Sequence, residues 1–386
     1  MEQNRSKSRI YMDYQASTPV DPRVFEAMAP YFLSVYGNPH STDHAFGWEA
    51  DAAVEQARSR IAALIGADAA EIVFTSGATE ANNLAILGTI RALRGVRRRV
   101  VVSAIEHKSV LAVARAAAEE GAEVITVAVD RNGIVDPADV AEVVDQQTAL
   151  VSVMAVNNEI GTVQPICEIA EICRQTGTLF HTDAAQALAV LPLDVAQIGV
   201  DLLSLSAHKA YGPKGIGALY VRHDLPVRPR PIIHGGGQED GLRSGTLPTP
   251  SCVGFGEACA LLATERTREA LRIVELRNLL LDGMCGAVPG IRLNGAASPR
   301  HAGNLNLRFP GVEADLLLHR LQPHLAAATG SACTSGIPEP SHVLRAIGLA
   351  AAEAACSIRF SIGRFTTREE IDAAVRAVRD AIAGLH

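Results

Sequence analysis

Short apolar runs alternate with helical patterns over roughly 200 residues, and this alternation restricts the possible folds more than any other feature of the chain. The runs that predict buried strands lie at residues 99–104, 123–129, 149–156, 179–181, 202–205 and 217–221. A helix is predicted around residues 109–120, and Asp136 followed by Pro137 predicts the start of another. Strands that alternate with helices favour an α/β domain with a mostly parallel sheet, whose ligands bind at the carboxyl ends of the strands.

The last third of the chain follows a different pattern. A Pro- and Gly-rich stretch at residues 226–250 is predicted to be a long connecting segment, and a long helical pattern follows it at 252–284. Strands are then predicted at 291–293 and 304–309, and helices at 312–321 and 369–382. We therefore expect a smaller α+β domain here, with its boundary near residue 260.

Composition excludes several classes of protein. The 386 residues are 48% hydrophobic and 20% charged, which argues against disorder, and the net charge of −7 predicts no stable binding to nucleic acid or anionic membranes. No run of 18 apolar residues predicts a membrane span, and residues 1–9 lack the apolar core of a secretory signal. Seven cysteines, an odd number in a long chain, do not predict a disulfide framework, so we expect a cytoplasmic protein.

Only four of the 35 basic residues are lysines, so chemistry that needs an amine has four candidates: Lys7, Lys108, Lys209 and Lys214. Lys209 directly follows an apolar strand pattern and His208, which is where a site is expected in a parallel sheet. A lysine that binds a carbonyl group covalently must lose its proton easily, and partial burial and nearby positive charge favour that loss. Taken alone, the segment is equally compatible with a lysine on an ordinary loop.

Three further segments follow strand patterns and bear groups that suit one cofactor. Asp183 could hold a pyridine nitrogen protonated or simply cap a helix. Residues 75–80 could bind a phosphate at a helix N-terminus or form a capping box with Glu80. His107 could stack on a ring or be an exposed loop histidine. A phosphate cradle, a ring-nitrogen acid and a lysine at one edge of a sheet together indicate pyridoxal phosphate.

The cysteines divide into two groups. Six are predicted to be small buried hydrophobic residues: Cys167, Cys173, Cys252, Cys259, Cys285 and Cys356. Their spacings do not predict a metal site. Cys333 stands instead in a polar stretch at 329–340, where packing explains a cysteine poorly and a reactive thiol is one interpretation, a cysteine without a role the other. Arg359, within the strand-like residues 357–361, could bind a carboxylate or lie on the surface.

Together these segments resemble the cysteine desulfurases of the class V aminotransferase superfamily, and in particular group I, the housekeeping iron–sulfur assembly type. The resemblance extends over nearly the whole chain, through residues 11–19, 74–83, 106–108, 156–161, 181–186, 204–217, 234–246, 330–335 and 357–366. It implies a fold-type I pyridoxal-phosphate enzyme. Its large domain (residues 16–260) would contain a mostly parallel seven-stranded sheet, and its smaller α+β domain (residues 1–15 and 261–386) would carry the cysteine loop.

The resemblance also implies a role for each candidate residue. Lys209 would bind the cofactor covalently, His107 would stack on its ring and move protons, and Cys333 would accept sulfur. Asn158 and Arg359 would hold the substrate carboxylate. Thr246 would reach the phosphate of a neighbouring subunit, which implies a homodimer with shared sites. The remaining contacts to the cofactor would come from Ala78, Thr79, Asn158, Asp183, Gln186, Ser206 and His208.

The implied reaction converts L-cysteine to L-alanine and leaves a persulfide on Cys333 for transfer to an acceptor protein. The alternative is a selenocysteine lyase or another lyase or aminotransferase of this class, and the role of Cys333 distinguishes the two. The chain ends at His386, soon after the last predicted helix, whereas housekeeping members commonly carry a further tail that helps to dock a cluster scaffold. The acceptor therefore stays open between iron–sulfur cluster assembly, tRNA thiolation and DNA phosphorothioation.

Overall fold

The computed structural model describes residues 9–330 and 340–384. Its strands are β1 (Ile10–Tyr11), β2 (Ile72–Thr75), β3 (Arg99–Ser103), β4 (Glu123–Val127), β5 (Thr148–Ser152), β6 (Leu179–Asp183), β7 (Leu202–Ser206), β8 (Gly217–Val221), β9 (Arg292–Leu293), β10 (Asn304–Arg308), β11 (Leu325–Ala326) and β12 (Ser357–Ser361). Its α-helices are α1 (Pro22–Met28), α2 (Pro30–Leu33), α3 (Ala45–Ile65), α4 (Ala78–Ala92), α5 (Lys108–Glu119), α6 (Pro137–Val143), α7 (Ile166–Thr176), α8 (Val195–Ile198), α9 (Thr249–Ala287), α10 (Ala314–Leu321), α11 (His342–Ala346), α12 (Ala351–Ala355) and α13 (Arg368–Ala383).

The central sheet has seven strands in the order β2-β8-β7-β6-β5-β3-β4. Only β8 runs antiparallel to its neighbours, so the prediction of a mostly parallel seven-stranded sheet is confirmed. Every residue of β5, β6, β7 and β8 is buried, as expected for strands that helices cover on both faces. The carboxyl ends of β2, β3, β5, β6 and β7 consequently meet at one edge of the sheet.

Local sequence signals set several element boundaries. Asp136 caps α6 by accepting a hydrogen bond from the Ala138 N–H, with Pro137 at the first helical position, as predicted. β5 ends at Ser152, earlier than the predicted residue 156. The reason is tertiary, because the Met154 N–H donates to the Glu106 side chain instead of to a neighbouring strand. The pairing with β3 ends here, whereas the Val153 and Ala155 N–H groups still donate to the β6 carbonyls of His181 (3.1 Å) and Asp183 (2.9 Å).

The hydrophobic residues form separate cores around the two parts of the chain. One includes Phe74, Phe180 and Phe255 beside the central sheet, and another includes Leu307 and Phe360 of the antiparallel sheet β12-β10-β9. The 39-residue helix α9 contributes to both, through Cys252, Phe255, Cys259 and Leu262 at its start and Ile273, Leu276, Leu280 and Met284 further along. The predicted boundary between residues 260 and 261 thus falls inside a continuous helix, and the division into domains stays a prediction.

Two findings concern expectations that came from composition, one on the burial of the cysteines and one on membrane-spanning helices. Of the six cysteines predicted to be buried, Cys173, Cys252 and Cys259 are buried, but Cys356 is only partly buried. The prediction is wrong for Cys167 and Cys285, which are exposed because they fall on the solvent sides of α7 and α9. None of the helices within residues 9–330 and 340–384 combines the length and the apolar character that crossing a membrane requires.

Candidate active site

A cavity of about 620 Å³ opens at the carboxyl edge of the central sheet. Its wall comes from the segments after β2, β3, β5, β6 and β7, from the N-terminal segment and from β12. Nearly all the residues that the sequence singled out line it: Ala78, Thr79, His107, Asn158, Asp183, Gln186, Ser206, His208, Lys209 and Arg359. The topology thus brings together groups that lie up to 281 positions apart, since Ala78 and Arg359 share one wall.

Lys209 follows β7 at the end of a single turn of 3-10 helix, Ala207–Lys209. Its Nζ donates hydrogen bonds to the backbone carbonyls of Gln15 (2.5 Å) and Ala16 (2.7 Å). Burial, together with the positive charge of Arg359, lowers the pKa of the Lys209 amine to about 8, although the carboxylates of Asp13 and Asp183 oppose this effect. The amine is therefore much closer to deprotonation at neutral pH than an ordinary lysine.

Asp183 is the last residue of β6, and its carboxylate is almost completely buried. Oδ1 accepts a hydrogen bond from the Ala185 N–H (2.9 Å), and Oδ2 accepts one from Asn82 Nδ2 (2.8 Å). These two donors fix the carboxylate on the cavity wall. The same loop supplies Gln186, whose Nε2 donates to the Gln15 carbonyl (2.9 Å).

His107 caps the N-terminus of α5. Its Nδ1 accepts a hydrogen bond from the Ser109 N–H (3.1 Å) and lies 2.8 Å from the Ser109 hydroxyl. The protein around the cavity lowers the pKa of the His107 ring by desolvation, and the nearby charge of Lys209 adds to this while Asp183 opposes it. The ring is thus held neutral, with its orientation set by the start of α5.

The start of α4 forms a second part of the wall. Gly77, Ala78 and Thr79 line the cavity, and the first N–H groups of a helix have no intrahelical acceptor. Glu80 faces away from the cavity toward Arg243, with Oε1 2.8 Å from Arg243 Nε, and its Oε2 accepts the Ser76 N–H (2.7 Å). The segment therefore combines a helix N-terminus open to an anion with a carboxylate that stabilises the preceding turn.

Ser206 and His208 complete this part of the wall from the end of β7. His208 Nδ1 lies 3.3 Å from the Ser17 hydroxyl. Burial, with the charges of Lys209 and Lys214, lowers the pKa of His208 to about 4. The ring consequently acts as a neutral hydrogen-bonding group near pH 7.

Arg359 reaches the cavity from the middle of β12. Its Nη1 donates to the Asn158 carbonyl (2.8 Å), its Nη2 pairs with Asp13 Oδ1 (2.7 Å), and its buried Nε has no partner among the described residues. The Asp13 carboxylate thus uses some of the hydrogen-bond donors of the Arg359 guanidinium. The remaining donor capacity suits an incoming carboxylate.

One predicted residue is not brought to this wall, and another is not among the residues that the structure describes. Thr246 is exposed and lies outside the cavity, so its predicted contact with a neighbouring subunit stays a prediction. Cys333 lies outside the described residues. Gly330, the last described residue before it, lines the cavity. Within the described part of the chain, no group of three or more His, Cys, Asp or Glu residues is arranged to hold a metal ion.

Sequence reasoning gave no role to several residues of this site. Asp13, Gln15 and Ala16 line the cavity, although they were noted only as part of a matching segment. Lys214, one of the four lysines of the chain, also lines the cavity. Asn82 is fully buried and contacts Asp183. The sequence signal that could have pointed to Asn82 is its place as a polar residue four positions after Ala78, on the same helix face.

The fold and the cavity define the class of this protein. The family model described as aminotransferase class-V matches residues 10–374, so the chain belongs to the class-V aminotransferase family, a family of fold-type I pyridoxal-phosphate enzymes. The fold-type I architecture predicted from the sequence is confirmed by a NifS-like protein of known structure. That structure is 34% identical, with a TM-score of 0.91, over 97% of this chain and 100% of its own.

Within this family the relatives are cysteine desulfurases. The cysteine desulfurase IscS of Rickettsia akari (strain Hartford) is 51% identical over 369 residues, which cover 96% of this chain and 90% of the relative. A structure described as SspA in complex with cysteine is 38% identical with a TM-score of 0.82, over 93% of this chain and 100% of its own. The predicted membership of the cysteine desulfurases is therefore confirmed.

Proposed function

We propose that this cysteine desulfurase uses pyridoxal phosphate in the cavity to remove sulfur from L-cysteine. The net reaction converts L-cysteine and the Cys333 thiol to L-alanine and a Cys333 persulfide. The observation that carries the proposal is the meeting of Lys209, Asp183 and Arg359 on one cavity wall, where an amine, a carboxylate and a guanidinium face the same space. The complex of the related SspA structure with cysteine supports the choice of substrate.

The cavity fits pyridoxal phosphate at both of its ends. A Cβ added to Gly77 would meet no atom within 4 Å, so the backbone at the start of α4 is open to a phosphate. The amine of Lys209 and the carboxylate of Asp183 suit the aldehyde and the pyridine nitrogen of the cofactor. Ala78, Thr79, Ser206 and His208 would hold its phosphate, His107 would stack on its ring, and Asn158 and Gln186 would contact its edge.

The chain supplies the groups that hold the substrate and move protons. When bound, pyridoxal phosphate supplies an electron sink that stabilises negative charge beside the α-carbon of the substrate. Lys209, with its lowered pKa, accepts and returns a proton at that carbon near neutral pH. Arg359 and Asn158 bind the substrate carboxylate, and His107 exchanges the second proton. Cys333 takes the sulfur.

Paired variants test these roles. The purified protein should be yellow, Lys209→Ala should lose the covalently bound chromophore, and borohydride reduction should label Lys209 but not the nearby Lys214. Cys333→Ser should keep the cofactor but abolish sulfide release from L-cysteine. Cys285→Ser, which changes an exposed cysteine of α9, is the matched control and should behave like the wild type. Full sulfide release by Cys333→Ser would refute the persulfide step and favour the lyase alternative.

We also propose that the protein is a homodimer. Six of the twelve large hydrophobic side chains exposed in the described residues come from one short stretch, and they are Phe25, Phe32, Leu33, Tyr36, Phe46 and Trp48. Exposed apolar groups in such concentration mark contact surfaces. Leu33→Asp should therefore yield a monomer in light scattering, while Leu271→Asp, at another exposed leucine, should not. A dimer that withstands Leu33→Asp would place the contact elsewhere.

The domain division and the acceptor complete the proposal. Met12 packs in the same core as Leu307 and Phe360, and β1 pairs with β11, which supports assigning the N-terminal residues to the small domain.

We propose that this domain presents Arg359 and Cys333 to the cavity and that the sulfur passes to an acceptor protein, such as a cluster scaffold or a thiolation enzyme. Transfer of ³⁵S from labelled cysteine to purified candidate acceptors would identify it. The cytoplasmic location stays a prediction.

A further inference from the structure

Asn82 lies in the second turn of α4 and is completely buried. It is four residues after Ala78, so it shares the helix face that begins at the phosphate end of the cavity. Its side-chain amide points to the other end. Nδ2 lies 2.8 Å from Asp183 Oδ2 and 2.9 Å from the Ser109 hydroxyl, which is itself 2.8 Å from His107 Nδ1.

Counting protons along this chain of contacts assigns every donor. The amide nitrogen of Asn82 has two hydrogens, and the two contacts use both. The Ser109 oxygen accepts one of them, so its own hydrogen is directed at Nδ1 of His107. That nitrogen also accepts the Ser109 N–H (3.1 Å), so it carries no proton and the neutral ring has its hydrogen on Nε2.

The reverse orientation of the Asn82 amide is disfavoured. It would place the amide oxygen against the Asp183 carboxylate, acceptor against acceptor. In the orientation present, Asn82 Oδ1 is buried without a hydrogen-bond partner. An unsatisfied buried oxygen is a cost that an apolar residue of the same shape would avoid, so the side chain is explained by its two donors rather than by packing.

We propose that Asn82 is a positioning residue that joins the two ends of the catalytic apparatus: it orients the Asp183 carboxylate and, through the Ser109 hydroxyl, reinforces the Nε2-protonated tautomer of His107 that the Ser109 N–H also favours. The inference rests on the proposed function. Because one amide serves both groups, the tautomer preference of the histidine and the position of the carboxylate are linked. The proton that His107 can exchange is consequently the one on Nε2.

Asn82→Leu tests this role because leucine has a similar shape but no hydrogen-bond donor. We expect kcat for alanine formation to fall about 10- to 100-fold, as for loss of other supporting hydrogen bonds, while KM for L-cysteine changes less than about threefold. Without the Asn82 donor to Asp183, we also expect the pH titration of the cofactor's visible absorption to shift. Histidine ¹⁵N NMR should show a larger Nδ1-protonated fraction at His107, assigned by the signal that His107→Gln removes.

Ser109→Ala is the matched variant, because it breaks only the arm to His107. It should increase the Nδ1-protonated fraction of His107, because only the backbone N–H then holds Nδ1, and it should change the pH profile of kcat but leave the visible titration near that of the wild type. If Asn82→Leu does not fold, Asn82→Ser and Ser109→Ala provide the same comparison.

Wild-type behaviour of the tautomer, the absorption titration and kcat in Asn82→Leu would overturn the inference. A wild type that binds no cofactor or forms no alanine would instead refute the proposed function itself, so the two failures are distinguishable. If Asn82 had a purely structural role, Asn82→Leu would lower the thermal unfolding midpoint without changing the His107 tautomer and without lowering kcat more than it changes KM. That result would also overturn the inference.

Discussion

Replacing Glu106 with glutamine should make the stability of this protein less dependent on pH. The Glu106 side chain is fully buried after β3, where its Oε1 accepts hydrogen bonds from the Ser103 hydroxyl (2.5 Å) and the Met154 N–H (2.8 Å), while its Oε2 has no partner. Burial, reinforced by the charge of Asp183, raises the pKa of this carboxyl group from 4.5 to about 8. Near neutral pH the folded protein therefore keeps a proton that the unfolded chain releases.

This difference fixes the sign and the size of the effect. Between about pH 4.5 and about pH 8 the folded state binds more protons at Glu106 than the unfolded state, so the free energy of unfolding falls as the pH rises. At about 1.4 kcal/mol for each pH unit, the loss over this window is at most about 5 kcal/mol. Glutamine does not ionise, so Glu106→Gln should escape this loss.

Urea unfolding followed by circular dichroism measures how the free energy of unfolding depends on pH. The difference in free energy of unfolding between Glu106→Gln and the wild type should rise by a few kcal/mol from about pH 5 to about pH 8, in favour of the variant. Glu119→Gln makes the same replacement at an exposed position on α5, where folding does not bury the side chain, and should show a difference that hardly changes with pH. A Glu106→Gln difference that is also constant over this range would refute the burial argument, because it would mean that Glu106 is ionised in the folded protein.

Three further outcomes follow from the structure. Asp13→Asn should lower the KM for L-cysteine several-fold in steady-state assays, because the substrate carboxylate then no longer competes with the Asp13 carboxylate for Arg359; a higher KM would contradict this. Gly161→Ala should lower the free energy of unfolding by about 1–3 kcal/mol in urea titrations, since Gly161 has a φ of 73° and an added Cβ would lie 2.6 Å from the Asn304 side chain; an unchanged midpoint would count against it. The rate of covalent cofactor uptake by the apoprotein should level off above about pH 8, where the Lys209 amine is deprotonated, and a rate that still climbs near pH 10 would contradict the lowered pKa.

Much of the fold was predictable because its signals are local. Strand β8 was predicted with the bounds that the structure has, and α5 and α13 within one residue at each end. The apolar period of a buried strand and the capping of a helix depend on neighbouring residues only. The predictions for Cys167 and Cys285 failed because an apolar composition does not say which face of a helix meets the core.

The candidate site was predictable only in part. Lys209, Asp183 and His107 could be chosen because each follows a strand pattern, and parallel strands end at the same edge of a sheet. The partners of these groups carried no comparable signal. Lys209 bonds to the carbonyls of Gln15 and Ala16, whose positions in the sequence are more than 190 residues away.

The sequence by itself determined that the chain forms a mostly parallel α/β sheet with an amine, a carboxylate and the start of a helix at one edge, since each depends on a short run of residues. Only the tertiary structure decided how these groups behave chemically. The pairing of Arg359 with Asp13 joins residues 346 positions apart, and the raised pKa of Glu106 depends on complete burial. Contacts and desolvation arise when distant segments pack together, and no local pattern encodes them.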